Sequence, residues 1–445
     1  MQKTAGTPTD NNKWTFSVWV KRSKLGSLQE ILYGDDGGTL NYCTIRFNDT
    51  SDTLTFKNRP GSTTSTLTTT QVFRDVSAWY HLVVVLDTSN ATAANRDIIY
   101  INGVRETNFS TESHSGSGDV CYINSNGNPT KISKGNSASF FDGYMAEVNF
   151  IDGQALAASD FGEFDEDSGI WKPIDASGLT FGNNGFYLDF KDSANLGNDA
   201  NGGTDLTESN LAATDQATDT CTNNFATLNP VYKSLSQPTY TQGNLSSSAS
   251  GAGYRLSFST IAVSTGKWYA EFYRAVGSTD EVFIGISSLN DAETLFNVTD
   301  YYLGETAKSI SISSGNGKYY ISASGTTYGS SYLGSGDIIG IALDLTNKKL
   351  YASKNGAWSN GSGAWSSTTF NASTGAIDIS SIISSGEYAY IGFSNTGTST
   401  VDANFGYPSF AISSGNADGD GYGNFEYAVP SGFFALCTKN LAEYG

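Results

Sequence analysis

The chain has 445 residues, a length that fits two large all-β domains of about 200–250 residues, or three smaller ones. Gly (49), Tyr (25) and Phe (25) are abundant while Pro (8) and Met (2) are scarce; this suits strands and turns and argues against bundles built on Ala/Leu/Glu/Lys repeats. With 25 Lys+Arg against 44 Asp+Glu the formal charge is −19, which argues against a phosphate-backbone binder and against electrostatic attachment to anionic lipid.

Strand signals begin at WTFSVWV (14–20), where Trp14, Phe16, Val18 and Val20 share one face and Thr15, Ser17 and Trp19 the other, the period of a half-buried antiparallel strand. Further strands follow at TIRFN (44–48), TLTFKN (53–58), WYHLVVVLD (79–87), IIYINGV (98–104) and GYMAEVNFIDG (143–153). Asn102-Gly103 predicts a two-residue type I′ hairpin. Residues 183–230 turn rich in Asn, Asp, Gly and Thr and are expected to form a connecting segment with one strand near 186–190. Alternation resumes in KWYAEFYRA (267–275), EVFIGISS (281–288), KYYISA (318–323), DIIGIALDL (337–345), KLYASKNGAW (349–358), YAYIGFSN (388–395) and VDANFG (401–406), with a second tight hairpin at Asn355-Gly356. The expected architecture is all-β: one antiparallel β-sandwich over 1–182, a polar connection over 183–230 and a second, jelly-roll-like sandwich over 231–445.

Four cysteines, Cys43, Cys121, Cys221 and Cys437, lie far apart with no CxxC spacing; zinc and redox motifs are unsupported and one or two disulfides remain open. Only two histidines, His81 and His114, are available for acid–base chemistry; His81 reads as a strand histidine and His114 as a mobile loop residue. The start, MQKTAGTPTDNNKW, lacks the apolar core of a secretory leader, and the longest apolar run, 82–86, is far below the ~20 residues of a spanning helix. The expectation is an intracellular chain or one released by another route such as lysis.

Three stretches of the first half, WTFSVWVKR, AWYHLVVVLD with IIYINGV, and FFDGYMAEVNFIDGQAL, resemble laminin-G-like modules of the concanavalin A type. In the second half GKWYAEF, GDIIGIALDLTNKKLYASKNGAW and ANFGYPSF resemble SPRY domains. The pair, together with TDTCTNNFATLNP and SGFFALCTKNLAEYG, is similar to virion proteins of marine tailed phages. That resemblance implies adhesion or virion architecture rather than chemistry, a location in the virion, and other virion proteins as partners. Fibres of this kind are usually symmetric homo-oligomers, often trimers, although no coiled-coil heptads are present here.

Candidate sites are few. Loops 291–302, 327–332 and 357–365 carry Tyr301, Tyr302, Tyr328, Tyr332, Trp358 and Trp365 beside amides and carboxylates, the mixture that stacks on sugars and bonds their hydroxyls. SPRY domains generally bind through loops at one end of the sandwich, which implies the same segments. Asn416, Asp418 and Asp420 alternate before Gly421 and Asn424, the oxygen spacing of a calcium loop, but Tyr427 stands where an EF-hand places its bidentate Glu. Laminin-G-like modules often bind calcium at a rim, which adds Asp35 and Asp36. Glycanase chemistry has one candidate, Glu163, Asp165 and Asp167 in GEFDEDSGIW, against an acidic surface loop as the plain alternative. No G-x-S-x-G elbow is present. The expected function is a non-enzymatic phage adhesin, a tail fibre or appendage that binds a host-surface glycan or protein. A structural virion subunit, such as a capsid decoration or tail scaffold, is the alternative, with a depolymerase third.

Overall fold

A computed structural model describes residues 1–135, 139–232, 235–277, 281–298, 300–330 and 334–445, and it divides into two compact units, Met1–Ala217 and Thr218–Gly445. Strand accounts for 41% of residues and helix for 6%, which makes both units all-β as the alternation predicts.

In the first unit, a seven-stranded sheet faces a six-stranded one. The six-stranded sheet runs Phe186–Leu188, Gly143–Asp152, Lys13–Arg22, Trp79–Asp87, Asp97–Ile101, Val104–Arg105. Trp14, Phe16, Val18 and Val20 point from it into the core against Ile45, Phe47 and Phe56, and the Trp14 and Phe56 rings meet edge-on at 5.9 Å across the two sheets. Asn102 (φ 48°) and Gly103 (φ 82°) form the expected tight hairpin.

One expectation is corrected. Strand Lys13–Arg22 is buried on both faces, because the chain after Gly153 folds back over the outer face of the sheet. Val83, Val85 and Ile151 there are covered by Ala158, Phe161, Ala176 and Phe181. That strap carries a short hairpin, Gly162–Phe164 paired with Trp171–Pro173.

The second unit repeats the plan with a ten-stranded and a six-stranded sheet. Trp268, Phe272, Ile339 and Ile341 of the larger pack on Ile284, Ile286, Ile391 and Phe393 of the smaller; Phe272 and Phe393 meet at 5.7 Å. All named pairings are antiparallel except Phe434–Ala435, which runs parallel to Lys267–Val276. A second strap, the chain after Phe405, covers the outer face here, with Phe425 and Phe433 lying on Tyr269 and Tyr351. Buried Glu271 fastens it: its carboxylate accepts hydrogen bonds from the backbone N–H groups of Glu426 (2.9 Å) and Tyr427 (2.8 Å), from the Tyr269 hydroxyl (3.0 Å) and from the Asn404 amide (3.3 Å).

The polar 183–230 segment is not a free connection. Phe186, Leu188 and Leu206 belong to the first core, and Phe225, Ala226 and Leu228 are buried in the second unit. Its carboxylates are consumed by its own turns: Asp199 caps the Tyr187 and Asn201 N–H groups, and Asp205 caps the Asp199 N–H. Composition of a loop and burial of a packed segment therefore coexist, because polar side chains here satisfy backbone rather than water.

Candidate functional site

The strap hairpin of the first unit builds the best-equipped cleft. Its turn is closed by Asp165, whose Oδ1 accepts from the Ser168 N–H (2.9 Å), the Ser168 hydroxyl (2.9 Å) and the Asp167 N–H (3.2 Å), with Gly169 in the left-handed region at φ 68°. These donors, with the Lys172 ammonium, hold the Asp165 carboxyl well below the usual carboxylate range. Register then places Phe164 opposite Trp171 and Glu163 opposite Lys172.

Trp171 is positioned from below. Its indole N–H donates to His81 Nδ1 (2.9 Å), and its ring continues a stack in which His81 lies on Trp19 at 4.8 Å. An indole nitrogen only donates, so His81 Nδ1 must accept and the proton sits on Nε2, which donates to Ser17 Oγ (2.8 Å). This is the reverse of a catalytic triad, in which the second ring nitrogen donates to a carboxylate. Burial moreover pushes the His81 pKa down to about 3, so the ring is a neutral spacer and not a base. Glycines fix the other two sides: a Cβ on Gly103 would stand 2.4 Å from the Trp171 ring, and one on Gly162 2.6 Å from it.

Above this foundation lies a cleft of ≈ 380 Å³, lined by Tyr100, Ser159, Glu163, Phe164, Trp171 and Ile174 among others. Phe164, 52% exposed, packs edge-on against Trp171 at 4.8 Å and presents its ring to solvent. Exposed Glu163 and half-buried Lys172 stand beside it as an ion pair of 3.3 Å. An apolar ring surface with a carboxylate, an ammonium and a hydroxyl at its edge matches a saccharide, which has an apolar C–H face and a polar rim.

Two carboxylates also invite a hydrolytic reading, but Lys172 binds both Glu163 (3.3 Å) and Asp165 (3.1 Å). A retaining glycosidase needs one carboxyl protonated as the acid. Here both share a cation, and Asp165 is occupied as a turn cap.

The second unit has a larger cleft of ≈ 570 Å³, formed by 289–290, Lys308 and 384–388. Its charged groups are already committed to its own wall: Lys308 Nζ donates to Ser381 O (3.0 Å) and Ser384 Oγ (3.5 Å), and Glu387 accepts from the Ser384 N–H (3.0 Å). The smaller cleft is the better chemical candidate despite its size.

Of the six aromatics expected to bind sugar, the five that are described do not form one exposed surface, although Tyr328 and Trp365 meet at 5.9 Å. Tyr328 is core, 2% exposed, its hydroxyl donating to Gly375 O (2.8 Å) and accepting from the Ala352 N–H (3.0 Å). Trp358 is buried too, packed on Phe370 at 4.9 Å. Tyr301 and Tyr302 are half-buried, Tyr302 stacked on Phe283 at 4.2 Å, and Trp365 is half-buried against Tyr328. Tyr332 lies outside the described residues. Moreover, 289–296 is a helix rather than a loop, its N-terminus capped by Ser288 Oγ on the Asp291 N–H. Ser288-x-x-Asp291 is a sequence signal for that start.

The expected calcium ligands are also employed otherwise. Asp418 is buried and accepts four hydrogen bonds, from the Asp420 and Tyr422 N–H groups on Oδ1 and from the Ala435 N–H and Asn440 amide on Oδ2. Asn416 donates to Ser414 Oγ and to carbonyls 425 and 426, the Asn424 N–H donates to Gly406 O, and Asp420 bonds the Tyr444 hydroxyl. Asp35 holds Lys131 (3.2 Å), and Asp36 caps Gly38 and Asn41. Among the described residues no group of three or more His, Cys, Asp or Glu side chains is placed to hold a metal ion. His114 is not a free loop residue; it sits half-buried between Glu112 (3.2 Å) and Asp97 (3.7 Å).

Residues 2–160 match the laminin G-type family described as the Concanavalin A-like lectin/glucanases superfamily. No curated protein matches the chain. Among solved structures, the SPRY domain of human HERC1 is similar at 15% identity and a TM-score of 0.30, over 40% of this chain and 96% of that one. A human SPRY domain is similar at 16% identity and a TM-score of 0.26, over 40% and 97%. Domain 4 of AbnA, a GH43 extracellular arabinanase from Geobacillus stearothermophilus, in complex with arabinotriose, gives 17% identity and a TM-score of 0.28, over 35% and 67%.

Proposed function

We propose that the chain is a non-enzymatic saccharide-binding adhesin of a phage virion, a tail fibre or appendage, and that it grips a host-surface glycan in the Phe164–Trp171 cleft. The observation that carries this reading is a half-exposed aromatic ring held rigidly beside an ion pair on a concanavalin A-like unit. A single shallow site of this kind binds weakly, and several copies on one homo-oligomeric fibre would gain 10²–10⁴-fold in avidity, an order-of-magnitude expectation for linked sites. Binding of purified protein to arrayed envelope polysaccharides, unchanged by removal of divalent cations, is the expected result; failure to bind any of them, or host cells, sinks the proposal.

Two other readings have their own tests. A depolymerase would release sugar with the wild type and not with Glu163→Gln; the expected outcome is no release from either, because Lys172 holds both carboxylates. A structural virion subunit is favoured by one observation: exposed Phe164, Val104 and Ile170 also suit contact with another protein. Immunogold labelling of a head-wide lattice would support that subunit, and labelling of distal fibre tips the adhesin.

A further inference from the structure

Two cysteines of the first unit are brought together by parts of the chain far apart in sequence. Cys43 lies in strand Tyr42–Phe47, paired with Gly34 on one side and Asn58 on the other. The segment around Cys121 is seated on those same two neighbours. A Cβ on Gly34 would stand 2.6 Å from Ile123 Cα and 2.7 Å from Tyr122 O, so backbone lies directly on backbone there. On the other side, the Asn58 amide donates to Val120 O (3.3 Å). With residue 120 held over Asn58 and residues 122–123 over Gly34, Cys121 comes down between them onto Cys43. Both side chains have no solvent exposure, both thiols are free, and they lie within hydrogen-bonding reach of each other.

We propose that Cys43 and Cys121 are the two halves of a structural disulfide that staples the 115–128 loop onto the seven-stranded sheet. A low-molecular-weight disulfide, R–S–S–R, is the oxidant. One cysteine thiolate attacks it, forming a mixed disulfide and expelling R–S⁻; the second thiolate attacks the cysteine sulfur of that mixed disulfide and expels the other R–S⁻. The sum is two cysteine thiols plus R–S–S–R giving the protein disulfide plus two R–SH, a two-electron oxidation of the protein. The sulfurs close from hydrogen-bond contact to about 2.05 Å. Metal binding does not compete, since no third His, Cys, Asp or Glu among the described residues completes a cage.

Timing follows from burial. Burial and the neighbouring thiol push the Cys43 thiol well above its ordinary value, which leaves little thiolate in the folded unit. The bond therefore forms while the unit is still open, and once formed is shielded from reductants.

The test uses the full chain, unfolded and reduced, then refolded in mixed oxidised and reduced glutathione, alkylated under denaturing conditions and weighed. The expected result is a loss of about 2 Da with Cys221 and Cys437 alkylated and a peptide cross-linking Cys43 to Cys121. Reduced protein already folded should oxidise at least about tenfold more slowly in the same buffer. The urea midpoint should rise on oxidation in the wild type and stay put in Cys121→Ala. Four alkylated thiols after oxidative refolding, or a cross-link between any other pair, would overturn the proposal; the wild-type measurement stands even if a variant fails to fold.

Discussion

Asp418→Ala is expected to destabilise the second unit by about 3–5 kcal/mol, the cost of leaving several buried donors without an acceptor. Four groups converge on this one carboxylate: the N–H groups of Asp420 (3.0 Å), Tyr422 (2.9 Å) and Ala435 (2.9 Å), and the Asn440 amide (2.8 Å). Ala435 and Asn440 are buried, so water cannot replace the lost oxygens without opening the strap. Asp418→Asn should recover part of the loss, since one side-chain oxygen remains to accept. Urea unfolding measures both. A change below about 1 kcal/mol in the Ala variant would mean that the carboxylate is not a clamp. A rise in the wild-type urea midpoint on adding calcium that is lost in the Ala variant would instead mark it as a cation ligand.

A second large effect concerns pH. Burial is the main influence on Glu271 and pushes its pKa up to about 7, against the four donors that oppose the shift. The protonated form is accommodated because the Tyr269 hydroxyl can rotate so that its oxygen accepts a hydrogen bond from the carboxyl O–H. In the unfolded chain the group returns to about 4.5. Between these values the folded state holds the proton more tightly, so this group's contribution to stability is fully present below pH 4.5. It falls as the pH rises towards 7 and is gone above it, a loss of about 3 kcal/mol. The urea midpoint of the wild type should therefore drop between pH 5 and pH 8 more steeply than that of Glu271→Gln, which cannot titrate. Parallel slopes for the two proteins would show that Glu271 keeps its ordinary value and is ionised throughout.

Both predictions concern the strap that covers the outer face of the second unit's larger sheet, and the straps of the two units are what the amino-acid pattern hid. Alternation at 14–20 predicts which residues enter the core, and Trp14, Phe16, Val18 and Val20 do. It equally places Thr15, Ser17 and Trp19 on the opposite face, and there Trp19 stacks on His81 beneath the strap. What covers that outward face depends on residues 155–181, a contact across the sequence that no local period encodes. The hairpins at Asn102-Gly103 and Asn355-Gly356 were legible because positive φ is a local demand that Asn and Gly meet cheaply.

Candidate binding residues were less legible, for a related reason. Tyr328 and Trp358 look like binding aromatics in loops, yet their hydroxyl and ring edges are consumed by the core. Phe164 and Trp171 stand in GEFDEDSGIW, where the eye goes to the carboxylates. Their pairing becomes visible only once the Asp165 cap folds the hairpin and His81 receives the indole. In a chain with 25 Tyr and 25 Phe, the aromatic residues mark the cores before they mark any surface.

The most direct measurement is a titration of immobilised host-envelope polysaccharide with wild-type protein and with Phe164→Ala. Phe164 is more than half exposed and its loss leaves the Trp171–His81 bond intact, so the variant should fold with an unchanged urea midpoint. A stacking contact of about 1–2 kcal/mol predicts a fall in affinity of roughly five- to thirtyfold per site. Equal affinity of the two proteins for a polysaccharide that the wild type binds would contradict the assignment of the cleft.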